Sequence, residues 1–133
     1  MNLLIRTDGG SRGNPGPAGI GVVIEDAETG EIIETHGKFI GRTTNNQAEY
    51  QAAILVLTRA VQLHATRVEV VADSELLVKQ ARGEYRVKNV DLALRYAELK
   101  ALEKKLPQVC YRHVRRAFNT AADALANQAM DHG

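Results

Sequence analysis

The sequence has a single cysteine, Cys110, and no tryptophan among its 133 residues. One cysteine cannot form an intramolecular disulfide, and no arrangement of cysteine and histidine matches a structural zinc site. Near the N-terminus only three consecutive apolar residues precede Arg6, which is too short a run for a signal-peptide core or a membrane span. These absences favour a cytoplasmic protein with no membrane partner.

A strong net charge is also lacking, because 17 lysine and arginine residues nearly balance 16 acidic ones and leave a net charge of +1. Such a chain has no long-range field to steer a polyanion, so a nucleic-acid site would depend on local basic clusters. Each of the two clusters present is, taken alone, typical of a solvated surface. They are Lys79, Arg82, Arg86 and Lys88, and then Arg112, His113, Arg115 and Arg116.

The apolar patterns predict one α/β domain over residues 1–133, since 44% of the residues are hydrophobic and no linker or repeat interrupts them. Strands are expected at 3–7, 20–24, 32–40, 67–72 and 108–114, and helices at 46–64, 74–81, 90–106 and from about Thr120 onward. Pro107 is expected to stop the third helix, and Thr120 is expected to cap the fourth. This order implies an antiparallel meander of three strands followed by parallel crossovers. The expected architecture is a mixed five-stranded sheet with helices on both faces.

Four acidic residues fall at the boundaries of these elements. Asp8 and Asp73 directly follow the first and fourth strand patterns, so parallel pairing of those strands would bring both to the carboxyl edge of the sheet, where ligands bind in open α/β folds. Glu49 and Asp123 lie near the starts of two helices and could project toward the same edge. Each acid alone has a structural explanation, because acids are favoured near helix N-termini and at the ends of strands. Clustered carboxylates, however, repel one another unless protons or cations neutralise them. Mg²⁺ or Mn²⁺ suits such oxygen ligands.

The motifs around these acids resemble type I ribonuclease H over nearly the whole chain. They are the glycine-rich block 8–21, Thr-Thr-Asn-Asn-Gln-Ala-Glu at 43–49, Asp-Ser at 73–74 and Asp-Ala-Leu-Ala at 123–126. The resemblance implies a ribonuclease H-like fold and an endonuclease that hydrolyses the RNA strand of RNA–DNA hybrids. It also implies two Mg²⁺ ions, with Mn²⁺ as a substitute, one to activate water and one to stabilise the leaving 3′ oxygen, so that the product carries a 5′ phosphate. The ligands and catalytic residues would be Asp8, Glu49, Asp73 and Asp123.

The same resemblance implies contacts to the RNA strand. Asn14, Asn46 and Gln47 match positions that reach the minor-groove face, where 2′-hydroxyls are displayed. Gly13 lacks a Cβ and would let the backbone approach a sugar. The neighbouring Asn-Pro-Gly-Pro sequence predicts a type II turn with positive φ at Gly16.

For the DNA strand, Thr44 and Asn45 match positions that hold a phosphate, and Lys88 is expected near another. A helix N-terminus at Thr44 would supply N–H donors for an anion, although capping alone also explains a threonine there. Thr44 followed by Gln47 predicts a capping box.

Two family features are missing. Residues 81–87 replace the long basic, tryptophan-rich protrusion of some bacterial relatives, and the loop 115–119 carries no histidine. Arg115 and Arg116 occupy that loop and are assigned an auxiliary electrostatic role. The compact form resembles archaeal and actinobacterial members, some of which also accept double-stranded RNA, and the chain is expected to act as a monomer.

Three alternatives stay open on the sequence. The domain could bind hybrid or double-stranded RNA without cleaving it. It could belong to the exonucleases, transposases or resolvases that share the fold, although exonucleases carry a second acid two residues after the first, where this chain has Gly10. Sugar-kinase and actin-like ATPases also begin with an Asp-Gly turn, but they need two copies of the fold.

Overall fold

The structure is a computed structural model that describes residues 1–133, and the elements occur in the predicted order. The strands are β1 (Asn2–Ser11), β2 (Gly16–Asp26), β3 (Ile32–Thr43), β4 (Arg67–Ala72) and β5 (Gln108–His113). The helices are α1 (Asn45–Gln62), α2 (Glu75–Ala81), α3 (Val90–Glu103) and α4 (Thr120–Asp131), with a short 3₁₀ turn at Arg116–Phe118. None of the helices is both long and apolar enough to cross a membrane.

The five strands form one mixed sheet in the order β3-β2-β1-β4-β5, which confirms the predicted topology. β1 pairs antiparallel with β2, and β2 with β3, whereas β4 pairs parallel with both β1 and β5. The chain therefore moves outward on one side of β1 and then returns to build the other side. The junction of β1 and β4 is the switch point at which an open α/β sheet offers a ligand crevice.

Helices cover both faces of this sheet, as the sequence predicted. Alternate side chains of a strand point to opposite faces. In β2, Ile20 and Val22 belong to the main core, which also contains buried residues of α1, α2 and α3. The alternating positions Gly19 and Gly21 instead lie against α4. The long α1 and the short α4 thus sandwich the centre of the sheet.

The prediction that the first strand ends at Asp8 is wrong, because β1 continues through Ser11. Its antiparallel pairing with β2 runs on to Ser11 opposite Ala18, and these backbone hydrogen bonds hold even the glycines of this segment in a strand. The parallel pairing with β4 does stop one residue before Asp8, at Thr7 opposite Ala72. Asp8 therefore lies at the carboxyl edge of the parallel pair while still inside β1.

Three smaller expectations also need correction. Asn119, not Thr120, is the N-cap residue of α4, and it makes no side-chain cap bond. Helix α3 ends at Glu103, short of Leu106, so Pro107 is not its immediate stop. The glycine with positive φ in the 13–16 loop is Gly13, at φ 92°, so no type II turn forms with Gly16 at its third position.

The contact between β2 and α4 gives a stability prediction. A Cβ on Gly21 would overlap the carbonyl oxygen of Ala122, so Gly21→Ala must push α4 from the sheet and should lower the free energy of unfolding by about 1–3 kcal/mol. Urea denaturation measures this loss. In Gly10→Ala the new Cβ would sit 3.7 Å from Asn45 Oδ1, an ordinary contact, so its stability should match the wild type. Equal stability of the two variants would contradict the close β2–α4 packing.

Candidate active site

Three carboxylates meet where β1 and β4 part. Asp8 lies one residue beyond the parallel ladder, and Asp73 directly follows β4. Glu49 is the fifth residue of α1, just past its first turn. One carboxylate oxygen of each lies within 4.8 Å of the others. The sequence-based expectation that these acids converge is therefore met in the folded chain.

The approach of α1 to β1 depends on the residue after Asp8. A Cβ on Gly9 would lie 2.5 Å from the backbone carbonyl atoms of Ala48, so only glycine allows the helix to rest on the strand here. Ala48 itself is fully buried. Because Glu49 follows Ala48, this close contact carries its carboxylate next to that of Asp8.

The fourth acid reaches the site from the opposite face of the sheet. Asp123 lies in the first turn of α4, and its Oδ1 accepts a hydrogen bond from Arg116 Nη2 at 3.0 Å. It lines the same open cleft, of about 480 Å³, as the other three acids. The lining residues are Asp8, Gly9, Gly10, Ser11, Arg12, Asn45, Asn46, Glu49, Asp73, Ser74, Arg116, Asp123, Asn127 and Met130.

The acids differ in their electrostatic environment. Burial, reinforced by the nearby charge of Asp73, raises the pKa of Asp8 from 3.8 to about 8. Burial and the charges of Asp8 and Asp73 likewise raise the pKa of Glu49 well above its usual value. Burial acts to raise the pKa of Asp123, but hydrogen bonds with Arg116 and Asp8 and the charge of Arg116 together outweigh burial and lower that pKa. Without a cation, Asp8 holds a proton at neutral pH, and Glu49 binds one more readily than an ordinary glutamate does.

The donor set fits a divalent metal ion. Glu49 is 8% exposed, and its Oε2 is buried with no hydrogen-bond partner in the protein. A buried polar atom of this kind needs a ligand, because leaving it unpaired is costly. Several carboxylate oxygens at one point suit hard cations such as Mg²⁺ or Mn²⁺. Asp8, Glu49 and Asp73 are the residues placed to hold such an ion, with Asp123 beside them.

Hydrogen bonds hold the loop after β1 against the start of α1. Asn45 Oδ1 accepts from the backbone N–H of Ser11 at 2.7 Å, and Asn14 Oδ1 accepts from the backbone N–H of Asn45 at 3.1 Å. Both amide oxygens are thereby occupied within the protein. The amide nitrogens of Asn14 and Asn45, which are both exposed residues, make no hydrogen bond within the protein and remain available as donors.

The residues expected to bind substrate divide between two places. Asn45 and Asn46 line the acidic cleft, and Gly13 and Asn14 lie exposed on the adjoining loop. Thr44 and Gln47 instead line a second groove, between the N-terminal ends of α1 and α3. Lys88 is exposed two residues before α3 and lines neither site. The second groove consists of Pro15, Thr43, Thr44, Gln47, Asp91, Leu94, Arg95 and Glu98.

Gln47 therefore does not line the cleft that Asn46 lines. Its Oε1 accepts a hydrogen bond from Arg95 Nε at 3.0 Å, which draws the side chain toward α3. The predicted capping box is consequently half formed. Thr44 Oγ1 accepts from the backbone N–H of Gln47, but the glutamine side chain bonds Arg95.

The structure separates the two loop arginines. Arg116 lines the cleft and bonds Asp123, whereas Arg115 is exposed outside it. Arg12 and Asn127 also line the cleft, although nothing in the sequence singled them out. Asn127 could have been found from its position four residues after Asp123, which places both on one helix face. Its Nδ2 donates to the backbone carbonyl oxygen of Asp123 at 3.0 Å.

The raised pKa of Asp8 predicts an unusual pH dependence of stability. The folded, metal-free protein binds more protons than the unfolded chain between pH 3.8 and about 8, so this group makes stability fall as pH rises through that window. Asp8→Asn should therefore raise the melting temperature in EDTA, and the increase should grow toward pH 8. The expected size is roughly 4 °C for each kcal/mol that the substitution adds to the free energy of unfolding. Calorimetry of both proteins across the window measures the difference. A difference that does not change with pH would contradict the assignment.

Comparison with known proteins places this fold and cleft in a family. Residues 6–129 match the family model described as "Reverse transcriptase-like". A bifunctional protein of Mycobacterium tuberculosis is 47% identical over 131 residues, which is 98% of this chain but 36% of that protein. Ribonuclease HI of Halobacterium salinarum is 42% identical over 124 residues, 93% of this chain and 62% of that protein. The chain thus spans less than two thirds of the length of these relatives.

A solved structure agrees over the full domain. LC11-RNase H1 in complex with an RNA/DNA hybrid is 41% identical, covers 98% of both chains and superposes with a TM-score of 0.93. Sequence and structure agree over the same region that carries the four acids. The chain therefore belongs to the ribonuclease H family.

Proposed function

We propose that this chain is a divalent-metal-dependent endoribonuclease, a single ribonuclease H domain that hydrolyses the RNA strand of RNA–DNA hybrids. The observation that carries the proposal is the acid cluster, with oxygens of Asp8, Glu49 and Asp73 within 4.8 Å of one another and Asp123 in the same cleft. The likeness to LC11-RNase H1, which has been solved with a hybrid, supports the choice of substrate.

The four acids would hold two Mg²⁺ ions, with Mn²⁺ as a substitute. Such ions supply activation of the attacking water and stabilisation of the leaving 3′ oxygen when they are bound. Asp8 and Glu49 would hold such ions as ionised carboxylates and would supply negative charge to them. Arg116 would place its guanidinium next to the scissile phosphate, since it already reaches Asp123 at 3.0 Å.

Recognition of RNA would come from the amide groups at the rim. The oxygens of Asn14 and Asn45 accept bonds from the backbone, so the amide N–H groups of both side chains are free to donate to a substrate. Asn46 lines the cleft beside them. A donor at this rim can bond a 2′-hydroxyl oxygen, which DNA lacks, and this difference would select the RNA strand. Gly13 on the same loop would let the backbone approach the sugar.

The DNA strand would lie on the other side of the α1 N-terminus. Thr44 and Gln47 line the second groove there, and exposed Lys88 stands near its α3 wall. Two of the other basic residues are engaged elsewhere, because Lys79 pairs with Glu75 at 2.8 Å and Arg82 with Glu84 at 2.9 Å. The basic contribution to DNA binding would therefore rest on Lys88 and Arg86.

A non-cleaving binder explains the cleft less well. Three clustered carboxylates would repel a phosphate backbone unless cations neutralise them, so a protein that only binds nucleic acid has no use for this arrangement.

We also predict that the protein accepts double-stranded RNA as a substrate and that it acts as a monomer. A cytoplasmic location is also kept as a prediction, and free Cys110, with no disulfide partner, is compatible with it.

The proposal predicts that Asp73→Asn abolishes cleavage. The amide keeps the size of the side chain but removes one negative ligand, so turnover of an RNA–DNA hybrid in Mg²⁺ should fall at least about 100-fold while the fold is retained. Asp26→Asn, at the end of β2 and outside the cleft, should keep full activity. Gel assays of end-labelled strands measure the rates, and circular dichroism checks the fold.

The same assay tests substrate class. Hybrid, RNA–RNA and DNA–DNA duplexes of one sequence should be compared with Mg²⁺, with Mn²⁺ and with EDTA. We expect cut RNA strands with 5′ phosphates only when a metal ion is present. Cleavage of DNA strands, cleavage in EDTA, or full activity of Asp73→Asn would refute the proposed reaction.

The two loop arginines should behave differently. Arg116→Ala removes the cation beside Asp123 and should lower kcat roughly 10-fold or more, because a charge facing the reacting phosphate contributes mainly in the transition state. Arg115→Ala, which removes an equal charge just outside the cleft, should leave kcat close to the wild type. Equal effects of the two substitutions would show that only the overall loop charge matters.

A further inference from the structure

Asn119 joins the two elements that carry Asp8 and Asp123. It is fully buried, and its Nδ2 donates to the backbone carbonyl oxygen of Thr7 at 2.8 Å. Its own backbone carbonyl oxygen accepts from the N–H of Asp123 at 3.1 Å. One residue thus ties the position before Asp8 in β1 to the first turn of α4.

The side chain of Asn119 is not used in the usual way for its position. Asparagine at an N-cap normally accepts a hydrogen bond from the first turn of the helix, but no such bond forms here. Its Oδ1 is instead buried with no partner. A buried unpaired oxygen and an uncapped helix both lower stability, and such exceptions call for a reason other than folding. In place of a cap bond, the side chain of Asn119 makes the hydrogen bond to Thr7.

The location of this bond indicates its role. Asp8 and Asp123 come from elements on different sides of the site, since Asp8 is on the sheet and α4 packs across its face. The buried residues of α4 are Ala122 and Ala126, and both lie against glycines of β2, which is a different strand from the one that carries Asp8. A directional hydrogen bond between Asn119 and Thr7 fixes the helix start along β1 and so fixes the separation of the two carboxylates.

We propose that Asn119 is a positioning residue that acts through Asp123, holding this fourth acid in register with Asp8 so that the cleft binds its full complement of divalent ions. The inference rests on the proposed function, since it concerns the same metal site. It assigns a role to a residue outside the acid set. Asn119 itself contacts neither the ions nor the substrate.

The test uses Asn119→Ser in the full chain. Serine is a good N-cap, so it can satisfy the start of α4, but it is too short to reach Thr7. We expect Mn²⁺ affinity, measured by isothermal titration without substrate, to weaken roughly 10- to 100-fold, and kcat to fall with an unchanged KM for hybrid. Asn119→Asp, which keeps the shape but loses the N–H donor, should weaken Mn²⁺ binding in the same direction.

The matched control is Gln80→Ser. Gln80 is another buried amide, 4% exposed, and it bonds Tyr50 Oη at 2.6 Å away from the cleft. Its loss should cost stability without changing Mn²⁺ binding. If Asn119→Ser and Gln80→Ser lower the melting temperature alike and both leave Mn²⁺ affinity intact, Asn119 is merely structural and the inference is overturned.

A double mutant then tests the route through Asp123. In an Asp123→Asn background, Asn119→Ser should weaken Mn²⁺ binding no further, because the acid that it positions is already gone. A full additional loss would overturn the inference. The metal readout is independent of the reaction, so a wild-type chain that binds Mn²⁺ but cuts no hybrid would refute the proposed function alone.

Discussion

Electrostatic repulsion among carboxylates at the junction of β1 and β4 is the constraint on which the rest of the site depends. Folding brings Asp8, Glu49 and Asp73 together although they would repel one another if all three were ionised. The folded chain tolerates this because the pKa values of Asp8 and Glu49 are raised, so that a proton can neutralise the cluster, and a divalent cation can take the place of a proton. Fold stability, metal binding and pH are therefore linked through the same few side chains.

The surrounding structure holds this unfavourable cluster in place. On one face, Gly9 lets α1 rest on β1 and brings Glu49 in. On the other, glycines of β2 allow α4 to approach the sheet, and Asn119 ties its start to Thr7. A core of apolar side chains lies beneath α1, whereas α4 relies on small residues and directed hydrogen bonds. The position of Asp123 therefore depends on the contact of α4 with β2 and on the bond from Asn119.

Near the cleft, hydrogen bonds within the protein decide which atom of a side-chain amide is free to contact a ligand. Asn14 and Asn45 each have an amide that could present either its oxygen or its nitrogen to a ligand. Backbone N–H groups from neighbouring segments occupy both oxygens, so the amide nitrogens are left as the free donors. Gln47 is turned away by Arg95 through the same kind of bond. Backbone packing decides which chemical group each amide offers to a nucleic acid.

The sequence by itself determined the order of elements and the mixed sheet, because apolar periodicity and strand order are local or topological properties. Its motifs predicted the four acids as the metal ligands, and the folded chain brings all four to one cleft. The reach of β1 past Asp8 was decided by tertiary structure, since the pairing partner β2, not strand propensity, supplies its hydrogen bonds. Tertiary structure also decided that Arg116 lines the cleft while Arg115 does not, and that the side chain of Gln47 bonds Arg95. Side-chain direction depends on neighbours that are distant in sequence, as Asn119 and Thr7 are, and no spacing rule encodes such a contact.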